Sequence, residues 1–383
     1  MDALNRRHFL QLSSLSAGIA LPRVAFAAAP AATAEDRRVR LSGDGLGLTP
    51  LEYSALVHRL IEEHGIAPDS YSLGGIVEQL EDECARALGK ERAIFMPTGT
   101  LANHMAVRAL GGGASRVIVQ EQSHLYQDEG DCAQTLSNLT LMPLAPGRAT
   151  FTADEVQRLL DETKAARVVS RVSAISIETP VRRKQGARFD PVELKKIIAI
   201  ARRDGIRLHL DGARLFLESA YSGDNVADYC RPFDTVYVSL YKYFNAASGA
   251  VLAGPREIID GMYHGRRMFG GGLNHVWPFA LVAHHYFNGF GERYTRAVTA
   301  SEEWIAKLQR HERFTIERIP LGTNLFRVQA RGVDPEAFRT RLEASGVLLG
   351  PAQDGRFLVG VNETLNRTTA TALTDAFVRA LKA

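Results

Sequence analysis

Apolar positions along the chain repeat with two alternating periods. From Glu78 to Leu88 they recur at helical spacing and stop at Gly89, a residue that commonly ends helices. Arg92–Met96 is a short apolar run, after which Thr98-Gly99-Thr100 opens a second helical pattern through Leu110. Arg116–Gln120, Val172–Ile177, Arg207–Leu210 and Thr235–Leu240 read as short β-branched strands, with helical stretches such as Pro191–Arg203 between them. This alternation predicts an α/β domain around a mostly parallel sheet. After Gly254 the character changes. A long helical region over Val276–Arg310 leads to strands at Leu325–Ala330 and Phe357–Val361 and a last helix over Thr368–Leu381. The expected organisation is a large α/β domain over 35–265 and, over 266–383, a linking helix with a smaller α+β domain.

The first 34 residues follow a different logic. Asn5-Arg6-Arg7-His8-Phe9-Leu10 precedes a mildly apolar stretch and small-residue cleavage patterns at Ala25-Phe26-Ala27 and Ala32-Thr33-Ala34. Paired arginines before a weak apolar stretch resemble a twin-arginine export signal, which predicts a periplasmic or secreted protein and the twin-arginine machinery as a partner. Ser13, Ser14, Ser16, Pro22 and Arg23 interrupt the stretch, leaving it well short of the roughly 20 apolar residues of a membrane span. No span is expected in the mature protein. Hydrophobic residues make up 45% of the 383-residue chain and charged residues 23%, the balance of an ordinary globular protein. The net charge of +3 is too small for a strongly basic nucleic-acid binder. Without 1–34 it nearly vanishes, because that segment carries three arginines against one aspartate. Cys84, Cys132 and Cys230 form no disulfide framework or C-x-x-C pair.

Four positions carry chemistry. Lys242 follows a buried strand, where desolvation lowers an amine's proton affinity and favours Schiff-base formation. Asp211 ends the strand in His209-Leu210-Asp211-Gly212-Ala213-Arg214, and the C-terminal tips of parallel strands are where α/β sheets bind ligands. A carboxylate there suits the ring nitrogen of pyridoxal phosphate, although a helix N-cap would use the same residue. Thr98-Gly99-Thr100 at a helix N-terminus makes a phosphate cup or simply a capped helix. His124, just past a strand, can lie against a heterocycle or move a proton.

Together with Leu101-Ala102-Asn103, Ile177-Glu178-Thr179, Leu215-Phe216, Ser239-Leu240-Tyr241, Gly270-Gly271-Gly272 and Thr323-Asn324-Leu325-Phe326, these residues resemble the low-specificity threonine aldolases. Those enzymes belong to the β-eliminating lyase group of pyridoxal-phosphate enzymes with the fold-type-I, aspartate-aminotransferase-like architecture. The resemblance runs from about Tyr71 to the C-terminus. It implies that Lys242 holds the cofactor as a Schiff base, Asp211 pairs with its ring nitrogen, and Thr98, Gly99 and Thr100 bind its phosphate. It also implies that His124 stacks on the ring and acts as a base, and that Arg214 holds the substrate carboxylate. The reaction implied is retro-aldol cleavage of a β-hydroxy-α-amino acid to glycine and an aldehyde, in a homodimer or homotetramer.

The chain also departs from that family. Tyr241 and Tyr243 flank the lysine where serine and glycine are usual. Tyr241 is expected to reach the phosphate or serve as an acid, and Tyr243 to pack. Leu273-Asn274-His275 replaces Met-Arg-Gln, and Gly74-Gly75 replaces Asp-Pro. A second carboxylate-binding arginine is expected at Arg356, although an ungapped register puts Phe357 on that position. Arg182-Arg183-Lys184 reads as a solvated loop, and His284-His285 as helix surface or core with no metal bound. Two other functions stay open: β-elimination to pyruvate and ammonia, and a cofactor-binding protein that has lost catalysis. A nicotinamide cofactor is disfavoured because no G-x-G-x-x-G follows a strand.

Overall fold

Short polar signals set the element boundaries. After β1 (Val39–Arg40), Thr49 caps the helix Pro50–His64: its hydroxyl accepts the Glu52 N–H while the Glu52 carboxylate accepts the Thr49 N–H. Proline occupies the first helical position and Gly65 ends the helix in the left-handed conformation. The same grammar bounds Pro191–Asp204, between an Asp190 cap and Gly205. The computed structural model describes residues 37–112, 116–168 and 170–382. The expected export signal, 1–34, lies outside them. Among the described residues no helix is long and apolar enough to cross a membrane.

Seven strands form the central sheet: β2 (Arg92–Met96), β3 (Arg116–Gln120), β4 (Thr140–Leu144), β5 (Val172–Glu178), β6 (Arg207–Asp211), β7 (Thr235–Ser239) and β8 (Ala250–Gly254). Their order is β2-β8-β7-β6-β5-β3-β4. β8 runs antiparallel to both neighbours, and the other six strands point the same way. β5 is buried throughout, as a strand covered on both faces must be. The mostly parallel sheet is therefore as expected. β4 and β8 were not expected from the sequence pattern. β4, Thr-Leu-Met-Pro-Leu, is only partly buried and carries Pro143, which an edge strand tolerates. β8 is Ala-Val-Leu-Ala-Gly, too short and featureless to separate from a buried helical turn.

β9 (Phe314–Arg318), β10 (Leu325–Ala330) and β12 (Phe357–Gly360) form a three-stranded antiparallel sheet, while β11 (Val347–Leu348) pairs with β1. This region has its own apolar core, in which Trp304, Phe326, Phe338, Phe357 and Phe377 meet. The helical region over 276–310 is two helices, Trp277–Phe287 and Phe290–Gln309, divided at Asn288-Gly289. Gly289 has φ +69°, which a continuous helix cannot accommodate.

Candidate active site

Because six strands run in one direction, the residues at or just past the C-terminal ends of β2, β3, β5, β6 and β7 meet at one end of the sheet. Thr98, His124, Glu178, Asp211 and Lys242 all line one cavity of about 240 Å³ there. Thr98 caps the helix Gly99–Gly111, its hydroxyl accepting the Leu101 N–H at 3.1 Å. The Gly99 and Thr100 N–H groups precede the first intrahelical bond and remain for an anion. Glycine is required at 99: a Cβ there would lie 2.1 Å from the Tyr237 hydroxyl.

Asp211 is held from two sides. Its Oδ1 accepts the Ala213 N–H at 3.1 Å, and its Oδ2 accepts from Asn103 Nδ2 at 2.8 Å. His124 begins the short helix His124–Gln127, and its Nδ1 lies 2.9 Å from Glu129 Oε1. The bond to Glu129 raises the proton affinity of the imidazole more than burial lowers it. Glu178 receives the His124 N–H at 2.5 Å and the Arg182 N–H at 2.9 Å. Burial and nearby Asp211 hold its carboxyl above the ordinary range.

Lys242 lies beyond β7, where burial, aided by Arg214, lowers its pKa to about 8. Its ammonium nitrogen is 5.7 Å from the centre of the Tyr241 ring. The Arg214 Nε donates to Asp44 Oδ2 at 2.8 Å, and Asp44 Oδ1 accepts from Asn324 Nδ2 at 3.1 Å. The loop carrying Asp44 presses on the lysine loop: a Cβ at Gly45 would stand 2.6 Å from the Lys242 carbonyl oxygen. A second, outer cavity of about 860 Å³ shares His124, Arg182, Arg214, Tyr241 and Lys242 with the inner one, so the two are continuous.

The structure thus gathers Thr98, Gly99, Thr100, His124, Asp211, Arg214, Tyr241 and Lys242 in one cleft. Tyr241 is 48% exposed on it, whereas Tyr243 is buried among Phe216, Phe244 and Phe290. Arg356 is not brought there. It precedes β12, its side chain is 51% exposed, and it donates to Glu317 at 3.0 Å. Phe357 is the residue whose side chain enters the interior, since neighbouring strand residues face opposite ways.

The 182–184 segment is solvent-exposed at Arg182 and Arg183, as expected, and also makes specific contacts. Arg183 makes two bonds to Asp128, at 2.6 and 3.1 Å, and Arg182 lines both cavities. The adjoining Gln185 and Gly186 are tied to Arg327 and Thr323. Asn103, Glu129 and Asp44 were not singled out from the sequence. Asn103 sits one turn past the cup, and Glu129 one short helix past His124. Asn103 stands out as a polar residue in an apolar helical run, whereas Glu129 and Asp44 lie in polar or glycine-rich segments that mark neither.

These residues fit pyridoxal phosphate. N–H groups and hydroxyls would hold its phosphate, the fixed Asp211 carboxylate would suit its ring nitrogen, and the desolvated Lys242 would meet its aldehyde. The sequence profile of the Beta-eliminating lyase family matches residues 66–332. A low-specificity L-threonine aldolase of Candida albicans is 28% identical over 54% of this chain and 55% of its own length. Low-specificity L-threonine aldolase 1 of Arabidopsis thaliana is 25% identical over 79% of this chain and 86% of its own. The chain spans about half the length of the first curated relatives it matches. Among solved structures, a candidate L-allo-threonine aldolase from Listeria monocytogenes EGD-E superposes with a TM-score of 0.70. It is 26% identical and covers 90% of this chain and 95% of that one. The chain belongs to the β-eliminating lyase family.

Proposed function

We propose that this chain is a pyridoxal-phosphate-dependent lyase that cleaves a β-hydroxy-α-amino acid to glycine and an aldehyde. The supporting observation is the pairing of His124 with Glu129 beside Lys242 and Arg214 in one cleft. Bound pyridoxal phosphate supplies the electron sink that takes up the electrons of the broken Cα–Cβ bond. His124 faces Glu129 through Nδ1, so Nε2 is the atom that takes the β-hydroxyl proton. Glu129 orients the ring and supports its charged form. Arg214, braced by Asp44, holds the α-carboxylate with a fixed fork. Asp211 would pair with the ring nitrogen of the bound cofactor. The outer cavity leaves room for a Cβ substituent larger than the methyl group of threonine.

Incubation of the purified holoenzyme with threonine, phenylserine, cysteine and serine tests this reading. Glycine with acetaldehyde or benzaldehyde is the expected result. Pyruvate and ammonia from serine or cysteine would replace it with β-elimination, the reaction in the family's description. Cofactor binding with no product from any of the four would favour the catalytically inactive alternative. The proposal includes a dimer or larger homo-oligomer, checked by light scattering. It also includes twin-arginine export, motivated by Arg6-Arg7 and the Ala-x-Ala patterns. Replacing both arginines by lysine should retain the full-length chain in the cytoplasm.

A further inference from the structure

Asp211 and Glu129 are far apart in the chain but share one side chain. Asn103, 1% exposed, donates through Nδ2 to Asp211 Oδ2 and to Glu129 Oε1, both at 2.8 Å. That Glu129 oxygen is also the one facing His124 Nδ1. Asn103 Oδ1 lies 3.0 Å from His209 Nε2, and His209 Nδ1 lies 2.9 Å from Thr235 Oγ1. Chemistry sets every direction in this chain. An amide oxygen cannot face two carboxylates, so the NH2 group must. Oδ1 then needs a donor, which places the His209 proton on Nε2 and makes the Thr235 hydroxyl donate to Nδ1. Burial keeps His209 neutral at physiological pH, its pKa pulled to about 4, so the arrangement does not invert.

We propose that Asn103 is a positioning residue that couples Asp211 to His124: its one amide group holds both acids, so charge placed against Asp211 changes the proton affinity of His124. This rests on the roles given above to Asp211 and His124. The acids facing His124 are Glu129, Glu178, Asp211 and Asp128; Lys242, Arg182, Arg214 and Tyr241 line the same cleft. The acids favour the imidazolium. A cation brought against Asp211, as a protonated ring nitrogen would be, cancels part of that field and lowers the proton affinity of His124. Loading the cofactor therefore favours the neutral imidazole, whose Nε2 lone pair is free to take a proton. The coupling is reciprocal: protonating His124 weakens the hold on the cation at Asp211.

The test follows the His124 ring by NMR of the full chain with selectively labelled histidine, first without cofactor. Asn103→Leu should raise its pKa by about one pH unit, because both acids lose a donor and hold the imidazolium more tightly. Glu129→Gln should lower it below wild type. In the Glu129→Gln background, Asn103→Leu should shift it by less than about 0.3 unit. Adding pyridoxal phosphate should lower the wild-type value, and lower it less in Asn103→Leu. Asn103→Ala, which admits water, is the second variant should the leucine protein fail to fold, and should shift the value upward by a smaller amount. An unchanged His124 titration in the folded Asn103 variants, or an equal shift with and without the Glu129 carboxylate, would overturn the proposal. The cofactor-free titrations are independent of the reaction. An absence of aldehyde from the substrate panel would defeat the aldolase reading and leave the coupling standing.

Discussion

The cleft end of the central sheet and the small C-terminal sheet assign residues to the site by different rules. At the cleft end, a residue at or just past the C-terminus of a parallel strand reaches the cleft because six strands end together there. Slips of a residue or two at a strand end, such as Leu210 against Asp211 or Leu240 against Ser239, leave Asp211 and Lys242 in place. In the antiparallel sheet, position depends on register. One residue separates Arg356, paired with Glu317 at the surface, from Phe357, buried in the second core. Parallel topology tolerates error in reading boundaries, and strand alternation does not.

The largest effect that can test this contrast lies at Lys242. Lys242→Ala should abolish covalent attachment of the cofactor and lower turnover by about a thousandfold or more. Mass spectrometry after borohydride reduction would identify the labelled lysine, and label on another lysine would break the assignment. Because its folded pKa is lowered to about 8, Lys242 is mostly an unreactive ammonium below that pH. Attachment to the apoenzyme should therefore quicken as pH rises and level off above about 8, followed by absorbance.

Arg214→Lys should raise KM by about 10- to 100-fold, since an ammonium replaces a braced two-pronged donor. Steady-state kinetics on phenylserine would show it. Gly99→Ala drives a methyl group into the Tyr237 hydroxyl. It should cost about 1–3 kcal/mol in a thermal melt and weaken cofactor binding. Arg356→Ala marks the smallest effect. Its exposed pair with Glu317 is worth no more than about 1 kcal/mol, and kcat/KM should stay within twofold of wild type. A large rise in KM from this variant would return Arg356 to the site and erase the contrast between the two sheets.

Much of the cofactor apparatus was legible in the sequence because it depends on local order. A glycine between two threonines at a helix start, an aspartate ending a strand and a lysine after the next strand each carry a local signature. Glu129 and Asp44 carry none, and Asn103, though part of the motif, carries none that names its partners. Asn103 and Asp44 act through partners distant in sequence, 108 residues away at Asp211 and 170 at Arg214, and Glu129 meets His124 only because the chain turns between them. The break at Gly289 shows the same limit, since one glycine does not by itself distinguish a helix end from a tolerated interior position.

The chain's periodicity and punctuation were enough to dictate an α/β fold and to put the cup, the aspartate and the lysine at element ends. That follows from short-range physics: side-chain period, capping and backbone freedom. Folding in three dimensions chose which polar groups share a hydrogen bond, which arginine meets an acid, and which residue of Arg356-Phe357 faces inward. Those choices come from register and burial, in which a partner's worth depends on how far water is excluded around it.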